Sequence, residues 1–182
     1  TLPETVEFSG KDYRVNTDYR DILDIISRLN NSGEPERVRL TVALALFYED
    51  FPQLPPIDYP EAWRKLCWFI NGGEEEPASG PSPKRIDWDQ DQPLIVADIN
   101  RAAGCEVRAM PFLHWWTFLA YFRGIGEGQL STVVGIREKR RKGKKLDSWE
   151  REFYRENRAV VDFQTHYTPE EDEILKKWLG EG

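Results

Sequence analysis

An aromatic and almost wholly apolar stretch, residues 110–123, constrains the fold of this 182-residue chain more than any other feature. Pro111 suits the first turn of a helix, and Gly124 can supply the left-handed residue that ends one, so the stretch predicts a single helix. Apolar side chains would surround nearly all of that helix, which is typical of a central, buried helix. The helix would be shorter than the roughly 20 residues that span a bilayer. The stretch therefore predicts the core of a helical domain.

Apolar spacing along the chain predicts a mainly α protein, a single helical domain over residues 1–182 with about seven to eight helices and a small N-terminal β-hairpin. Residues 4–16 alternate apolar and polar side chains around a Ser9-Gly10-Lys11 turn, which is typical of a hairpin. Asn16 or Thr17 is expected to cap the first helix. Further helices are predicted at about residues 35–49, 58–70, 91–103, 126–142, 147–160 and 169–179.

Three segments differ in character from these helices. Residues 72–85 are rich in Gly, Glu, Pro and Ser, and are expected to form a flexible loop. Residues 137–146 are predicted to form a basic loop. Residues 147–182 hold the C-terminal helices, which either complete the main domain or form an appendage to it.

The composition narrows the class of protein. Hydrophobic residues make up 40% of the chain and charged residues 31%, the balance of a globular, soluble protein. The net charge of -7 argues against a surface built throughout for nucleic acid. Only 2 cysteines occur, Cys67 and Cys105, so reduced and buried thiols in a cytoplasmic protein are expected. No basic leader with an apolar run is present, so neither a secretory signal nor membrane insertion is expected.

No set of residues predicts catalysis, metal binding or a cofactor. Cys67 and Cys105, with His114 or His166, are the only nucleophile and base candidates, and no familiar catalytic sequence surrounds either cysteine. The same four residues lack the short spacing that brings zinc ligands together. His114 is expected to be a hydrogen-bonded packing residue. The sequence therefore favours a protein that is not an enzyme.

The strongest local charge signal is the basic run at residues 137–145. Such a run could hold phosphates without sequence specificity, but no aromatic residue lies within it to stack on bases. Two other interpretations are a basic helix end followed by an exposed loop, and docking to an acidic partner or to another copy of the chain. Both are favoured over nucleic acid binding.

Three segments carry a resemblance to a known family. The N-terminal segment is Leu2-Pro3 followed by Phe8-x-Gly10-Lys11-x-Tyr13-x-Val15-Asn16-Thr17-Asp18-Tyr19-Arg20. The others are Ala45-Leu46-Phe47-Tyr48 and Met110-x-x-Leu113-His114-Trp115-Trp116-x-Phe118. Together they resemble a family of tailed-phage proteins from phages and prophages of Gram-positive bacteria, encoded just ahead of the tape measure protein.

The resemblance implies a non-enzymatic, mostly helical tail assembly chaperone. Such a protein would bind the helix-rich tape measure protein in the cytoplasm of the bacterial host and keep it soluble while the tail assembles. Other tail assembly proteins, or further copies of the chain, would be additional partners. The expected contact residues are Phe112, Trp115, Trp116, Phe118, Arg137, Lys139, Arg140 and Arg141. Trp115 and Trp116 have a second interpretation, as core residues.

Two alternatives to the chaperone remain. The first is a structural tail or head–tail completion protein that is retained in the virion. The second, less favoured, is a phage regulator that binds nucleic acid through residues 137–145.

Overall fold

The computed structural model describes residues 1–30, 33–75 and 83–164. It contains β1 (Thr5–Phe8), β2 (Lys11–Arg14), α1 (Tyr19–Asn30), α2 (Glu36–Phe47), α3 (Tyr59–Ile70), α4 (Gln92–Ala103), α5 (Trp115–Arg123), α6 (Gln129–Arg141), α7 (Ser148–Glu156) and α8 (Arg158–Val161). Short 3₁₀ turns lie at Phe51–Gln53, Pro56–Asp58 and Val107–Ala109. The predicted class, mainly α with a small N-terminal hairpin, is confirmed.

The hairpin forms because its alternating side chains bury one face. Strands β1 and β2 are antiparallel with Val6 opposite Tyr13. The turn residues Ser9 and Gly10 have φ of 50° and 71°, as a two-residue hairpin turn requires. The Phe8 ring stacks on the Tyr13 ring with centroids 4.2 Å apart. A lone hairpin is marginally stable in water, and this one packs its apolar face on the helices.

The segment after the hairpin ties it to the end of α2. The backbone N–H of Asn16 donates to the Phe47 carbonyl at 2.8 Å, and the Asn16 side-chain amide donates to the Leu46 carbonyl at 2.7 Å. Val15 and Tyr48 form an antiparallel bridge beside these bonds. Asn16 is therefore used to terminate α2, and does not cap α1 as predicted.

The next residues of the same segment join the start of α1 to the start of α5. The Trp115 N–H donates to the Thr17 carbonyl at 2.7 Å, and the Tyr19 N–H donates to the Leu113 carbonyl at 3.0 Å. Asp18 caps α1, since its Oδ1 accepts a backbone N–H two residues later at 3.0 Å. The predicted cap at Asn16 or Thr17 is thus one or two residues too early, because the backbone groups of both residues serve long-range pairs.

Several predicted helix ends also shift. The helix expected across residues 110–123 begins only at Trp115, because His114 forms an antiparallel bridge with Asp18 immediately before it. Pro111 therefore lies outside the helix, and Gly124, with φ of −80°, does not end it in the left-handed conformation. At the end of α4, Gly104 adopts the left-handed conformation, with φ of 71°.

The core is a large cluster with a smaller one beside it. The large cluster includes buried side chains of the hairpin and of α1 to α6. The smaller one joins Val133 and Ile136 of α6 to Val161 of α8, and Leu94 of α4 packs against both clusters. A capping box begins α7, with the Asp147 N–H donating to the Glu150 carboxylate at 2.8 Å. The helix predicted at residues 169–179 and the centre of the predicted loop, residues 76–82, lie outside the described residues.

Two glycines of α6 predict opposite effects of the same substitution. A Cβ on Gly128 would lie 2.6 Å from Oδ1 of the buried Asp98, whose other oxygen accepts the Leu130 N–H at 3.2 Å. Gly128→Ala should therefore lower the free energy of unfolding by roughly 1–3 kcal/mol, because it displaces that cap. Gly135 lies within α6, and a Cβ there would meet no atom of another part of the described chain within 4 Å, so Gly135→Ala should raise the free energy of unfolding by roughly 0.5–1 kcal/mol.

Urea unfolding followed by circular dichroism measures both variants. A loss of stability at Gly135→Ala, or no loss at Gly128→Ala, would contradict this account of the α6 N-terminus.

Candidate functional site

His114 caps the start of the aromatic helix α5 and is not one of its helical residues. Its Nδ1 accepts the Trp116 backbone N–H at 3.0 Å, so the proton of the neutral ring lies on Nε2. That Nε2 donates to the Pro3 carbonyl, also at 3.0 Å. The ring is buried and both nitrogens are used. The expected packing role is confirmed, although the partners are backbone groups and not the polar side chains of α5.

The two tryptophans that follow cap a different helix. The Trp115 indole N–H donates to the Ile70 carbonyl at 2.9 Å, and the Trp116 indole N–H donates to the Phe69 carbonyl at 3.0 Å. Both carbonyls lie in the last turn of α3, where the helix itself supplies no donor, and the Phe69 carbonyl also accepts the Gly72 N–H at 3.0 Å. Gly73, with φ of +89°, allows the close approach, because a Cβ there would lie 2.8 Å from the Trp116 ring. The tryptophan pair therefore holds α5 against the end of α3.

Burial separates the four aromatic residues predicted to contact a partner. Trp115 is 1% exposed and Phe118 is 3% exposed, and Phe118 stacks between the rings of Trp115 and Tyr19. Both side chains are therefore part of the core, in agreement with the second interpretation of Trp115. Trp116 is half-buried, and Phe112 precedes α5 and is 55% exposed. Phe112 lies outside the helix that was predicted over residues 110–123, since α5 begins only at Trp115.

The first residue of the basic run is buried in an ion pair. Arg137 donates from Nη1 and Nη2 to the two carboxylate oxygens of Asp91 at 2.6 and 2.8 Å. Its Nε donates to the Val161 carbonyl at 2.7 Å, and its guanidinium lies 4.2 Å from the centre of the Phe163 ring. The side chains of Arg137 and Asp91 are 6% and 1% exposed. Arg137 thus joins α4, α6 and α8, and the prediction of a basic loop starting at residue 137 is wrong.

The next cations of the run pair with neighbouring acids. Lys139 lies 2.7 Å from Glu150, and this hydrogen bond raises the Lys139 pKa. Arg140 pairs with Asp162. Hydrogen bonds from Arg141 and Lys142 lower the pKa of Glu138 to about 2.

These four cations, Lys139, Arg140, Arg141 and Lys142, are therefore occupied within the chain. Because α6 continues to Arg141, most of the run is a basic helix end, and the exposed residues 142–145 follow it, whereas Leu146 is half-buried against the smaller core cluster. This arrangement agrees with the interpretation of the run as a helix end with an exposed loop.

An open groove between α1 and α4 was not predicted. It has a volume of about 400 Å³ and a mostly apolar lining. Its floor includes Tyr19, Phe118 and Ile95, and its walls include the half-buried Leu23 and Val96. Among the predicted contact residues, Phe118 lines this groove, at its floor. The sequence signal for this groove was Leu23 beside Ile22. The two together make the apolar face of α1 wider than packing against a single neighbouring element requires.

Charged residues divide the rim of this groove into two ends. Arg20 and Arg108 lie where α1 begins and α4 has ended, and Asp24 and Asp89 lie toward the end of α1 and the start of α4. Partial burial, together with the nearby carboxylates of Asp18 and Asp24, raises the pKa of Asp21 on the same helix. Arg20, Arg108 and Asp24 each pair with an oppositely charged neighbour, at 3.0, 2.8 and 3.2 Å, so the described rim residues form no free basic end.

The residues weighed for catalysis and metal binding are not assembled into one site. Cys67 is half-buried on α3, whereas Cys105 is exposed after α4, so the expectation of two buried thiols is wrong for Cys105. His166 lies outside the described residues. Within residues 1–30, 33–75 and 83–164, no three His, Cys, Asp or Glu side chains are grouped so that they could hold a metal ion.

A sequence model for a family described as Bacteriophage Gp15 protein matches residues 1–163. The chain belongs to this family. The expected resemblance is thereby confirmed at the level of a bacteriophage protein, and the matched region contains the hairpin, the groove and the Arg137–Asp91 pair. No curated protein and no solved structure matches the chain. None of the described helices of this Gp15 family member has the length and apolar character needed to cross a membrane.

Proposed function

We propose that this phage protein is a tail assembly chaperone that binds the tape measure protein and keeps it soluble in the cytoplasm of the bacterial host. The proposal rests on the groove between α1 and α4, together with membership of a phage family and the resemblance of the three sequence segments. A chaperone of this kind works by binding alone, without a catalytic group, metal or cofactor.

The shape and lining of the groove suit an amphipathic helix. Helix-in-groove recognition places apolar side chains spaced three or four residues apart into a hydrophobic cleft. Here the cleft lies between two helices, has a volume of about 400 Å³, and is floored by aromatic and aliphatic side chains. A long, helix-rich client offers many such apolar faces, and each is prone to aggregate until covered.

The electrostatics of the chain support a protein partner over nucleic acid. The chain has a net charge of -7, and the cations nearest the start of the basic run are paired with acids. Phosphate binding by Arg137 would require breaking its buried pair with Asp91. We therefore exclude Arg137 from the proposed contact surface and propose that the groove binds the client.

Co-expression with the tape measure protein tests the function directly. A soluble complex that co-purifies through an affinity tag on either protein is the expected result. An insoluble tape measure protein with no bound partner would overturn the proposal. Mass spectrometry of purified virions adds a second test, because a chaperone should be absent, whereas a structural tail or head–tail protein should be present.

A substitution in the groove wall predicts where the client binds. Val96→Glu places a charge in the groove wall and should lower the amount of co-purified tape measure protein about tenfold, the effect of a 1.4 kcal/mol loss in binding. Ala97→Glu is the matched control, because Ala97 is the next residue of α4 and is exposed. The control should bind as the unaltered chain does.

Thermal unfolding must show that both variants are folded before their binding is compared. Equal binding by the two variants would place the contact surface elsewhere, while leaving the chaperone function itself open to the co-expression test.

A further inference from the structure

The described chain ends beside Gln90, the residue after Asp89 of the α1–α4 groove. Just before this end, Asp162 and Phe163 line a second pocket with Arg137 and Arg140. The backbone N–H of Gln164 donates to the side-chain oxygen of Gln90 at 3.0 Å. The amide of Gln90 in turn donates to the Asp162 carbonyl at 2.9 Å. Asp89, which precedes Gln90, lines the acidic end of the groove. Gln92, two residues after Gln90, lines the same end. The segment from residue 165 onward therefore starts beside the groove.

The sequence of that segment has the pattern that such a groove accepts. Ile174, Leu175, Trp178 and Leu179 recur at helical spacing and would share one face of a helix. Four acids, residues 170–173, precede these apolar residues. Lys176 and Lys177 would lie on the opposite side of the same helix. The segment thus carries an apolar face together with negative charge toward one end and positive charge toward the other.

We propose that residues 169–179 dock into the α1–α4 groove of the same chain as an amphipathic helix. The linker makes this docking feasible, because residues 165–168 can extend up to about 14 Å. The groove-lining stretch of α1, from Tyr19 to Ser27, is only about 12 Å long.

The docked segment would compete with a client for the groove. This regulatory role rests on the proposed function, whereas the docking itself does not. If the segment fills the groove about nine-tenths of the time, the apparent client affinity is reduced about tenfold. Leu175→Asp in the full chain would then increase client affinity by about that factor.

Photo-crosslinking of the full-length protein tests the docking. A benzophenone amino acid replaces Trp178, which keeps an aromatic ring on the apolar face. A second protein carries the same probe at Lys177, on the polar face, as the matched control. Mixing unlabelled with ¹⁵N-labelled protein before irradiation shows whether each crosslink lies within one copy or joins two.

The expected result is crosslinks from position 178 to groove-lining residues of α1 or α4 within a single copy. Their yield should exceed that of the control, and should fall at least about tenfold when Val96→Glu is added, the loss that 1.4 kcal/mol would cause. Crosslinks between copies, crosslinks to the basic run at residues 137–145, or a yield no higher than the control would each overturn the proposal.

The same proteins separate this proposal from the proposed function. If position 178 does not crosslink to the groove but the tape measure protein still co-purifies, the docking is wrong and the chaperone function stands. If the groove crosslinks form but no client co-purifies, the docking stands and the chaperone function is wrong.

Discussion

Replacing Arg137 by alanine is expected to lower the free energy of unfolding by about 3–5 kcal/mol, enough to unfold many domains of this size. The substitution leaves the Asp91 carboxylate, 1% exposed, without its bidentate partner. It also removes the donors to the Val160 and Val161 carbonyls, at 2.9 and 2.7 Å. A buried charge without a partner costs several kcal/mol, more than the pair contributes when intact.

Arg141→Ala is the matched control for this prediction. Arg141 lies on the same helix and also pairs with an acid, Glu138, at 2.8 Å, but its side chain is 44% exposed. An exposed pair of this kind contributes little to stability, because water screens it. Urea unfolding followed by circular dichroism should therefore separate the two variants clearly. If both lost the same small amount of stability, Arg137 would have to be solvated, and the basic run would again be a candidate binding surface.

The second large effect is expected at Trp115. Trp115→Ala should lower the free energy of unfolding by about 3–5 kcal/mol, because it opens a cavity in the core and removes the indole donor to the Ile70 carbonyl. Trp115→Phe should cost less, because it keeps most of the ring and chiefly loses the hydrogen bond, which is worth about 1 kcal/mol. Circular dichroism is the appropriate measurement, since the substitutions alter the tryptophan fluorescence itself.

Phe112→Ala provides the contrast for Trp115. Phe112 is 55% exposed and precedes α5, so its truncation should change stability by no more than about 0.5 kcal/mol. A large loss at Phe112, or a small loss at Trp115→Ala, would contradict the observed start of α5.

These two predictions also decide how binding experiments should be designed. A loss of client binding on changing Trp115, Phe118 or Arg137 would reflect unfolding, because all three side chains are buried. The exposed Phe112 and the groove residue Val96 can be changed with less effect on the fold. Contact residues should therefore be sought at such positions, with stability measured alongside binding.

Local sequence was sufficient for most of the secondary structure. The spacing of Ile22 and Ile25 predicts α1, because the apolar face of a helix depends only on residues within a few positions. The alternation that places Val6 opposite Tyr13 predicts the hairpin for the same reason. The prolines of residues 52–56 exclude a helix between α2 and α3, since they remove donors and restrict their neighbours.

The site could be predicted only in part. Sequence pointed to residues 110–118 and 137–145, and both regions prove to be places where distant parts of the chain meet. It could not show that the Trp115 and Trp116 indoles donate to the end of α3, about 45 residues away, because those carbonyls carry no signal in the sequence. The groove was missed for a related reason, since its two walls belong to α1 and α4.

By itself, then, the sequence determined the helices, the hairpin and most of their ends, all of which follow from interactions between near neighbours. Only the tertiary structure decided the role of the charged and aromatic side chains. Arg137 looks like its basic neighbours in sequence, yet it is buried because Asp91, 46 residues away, lies within hydrogen-bonding distance of it. Burial and pairing depend on which distant residue comes into contact, and that is settled when the helices pack.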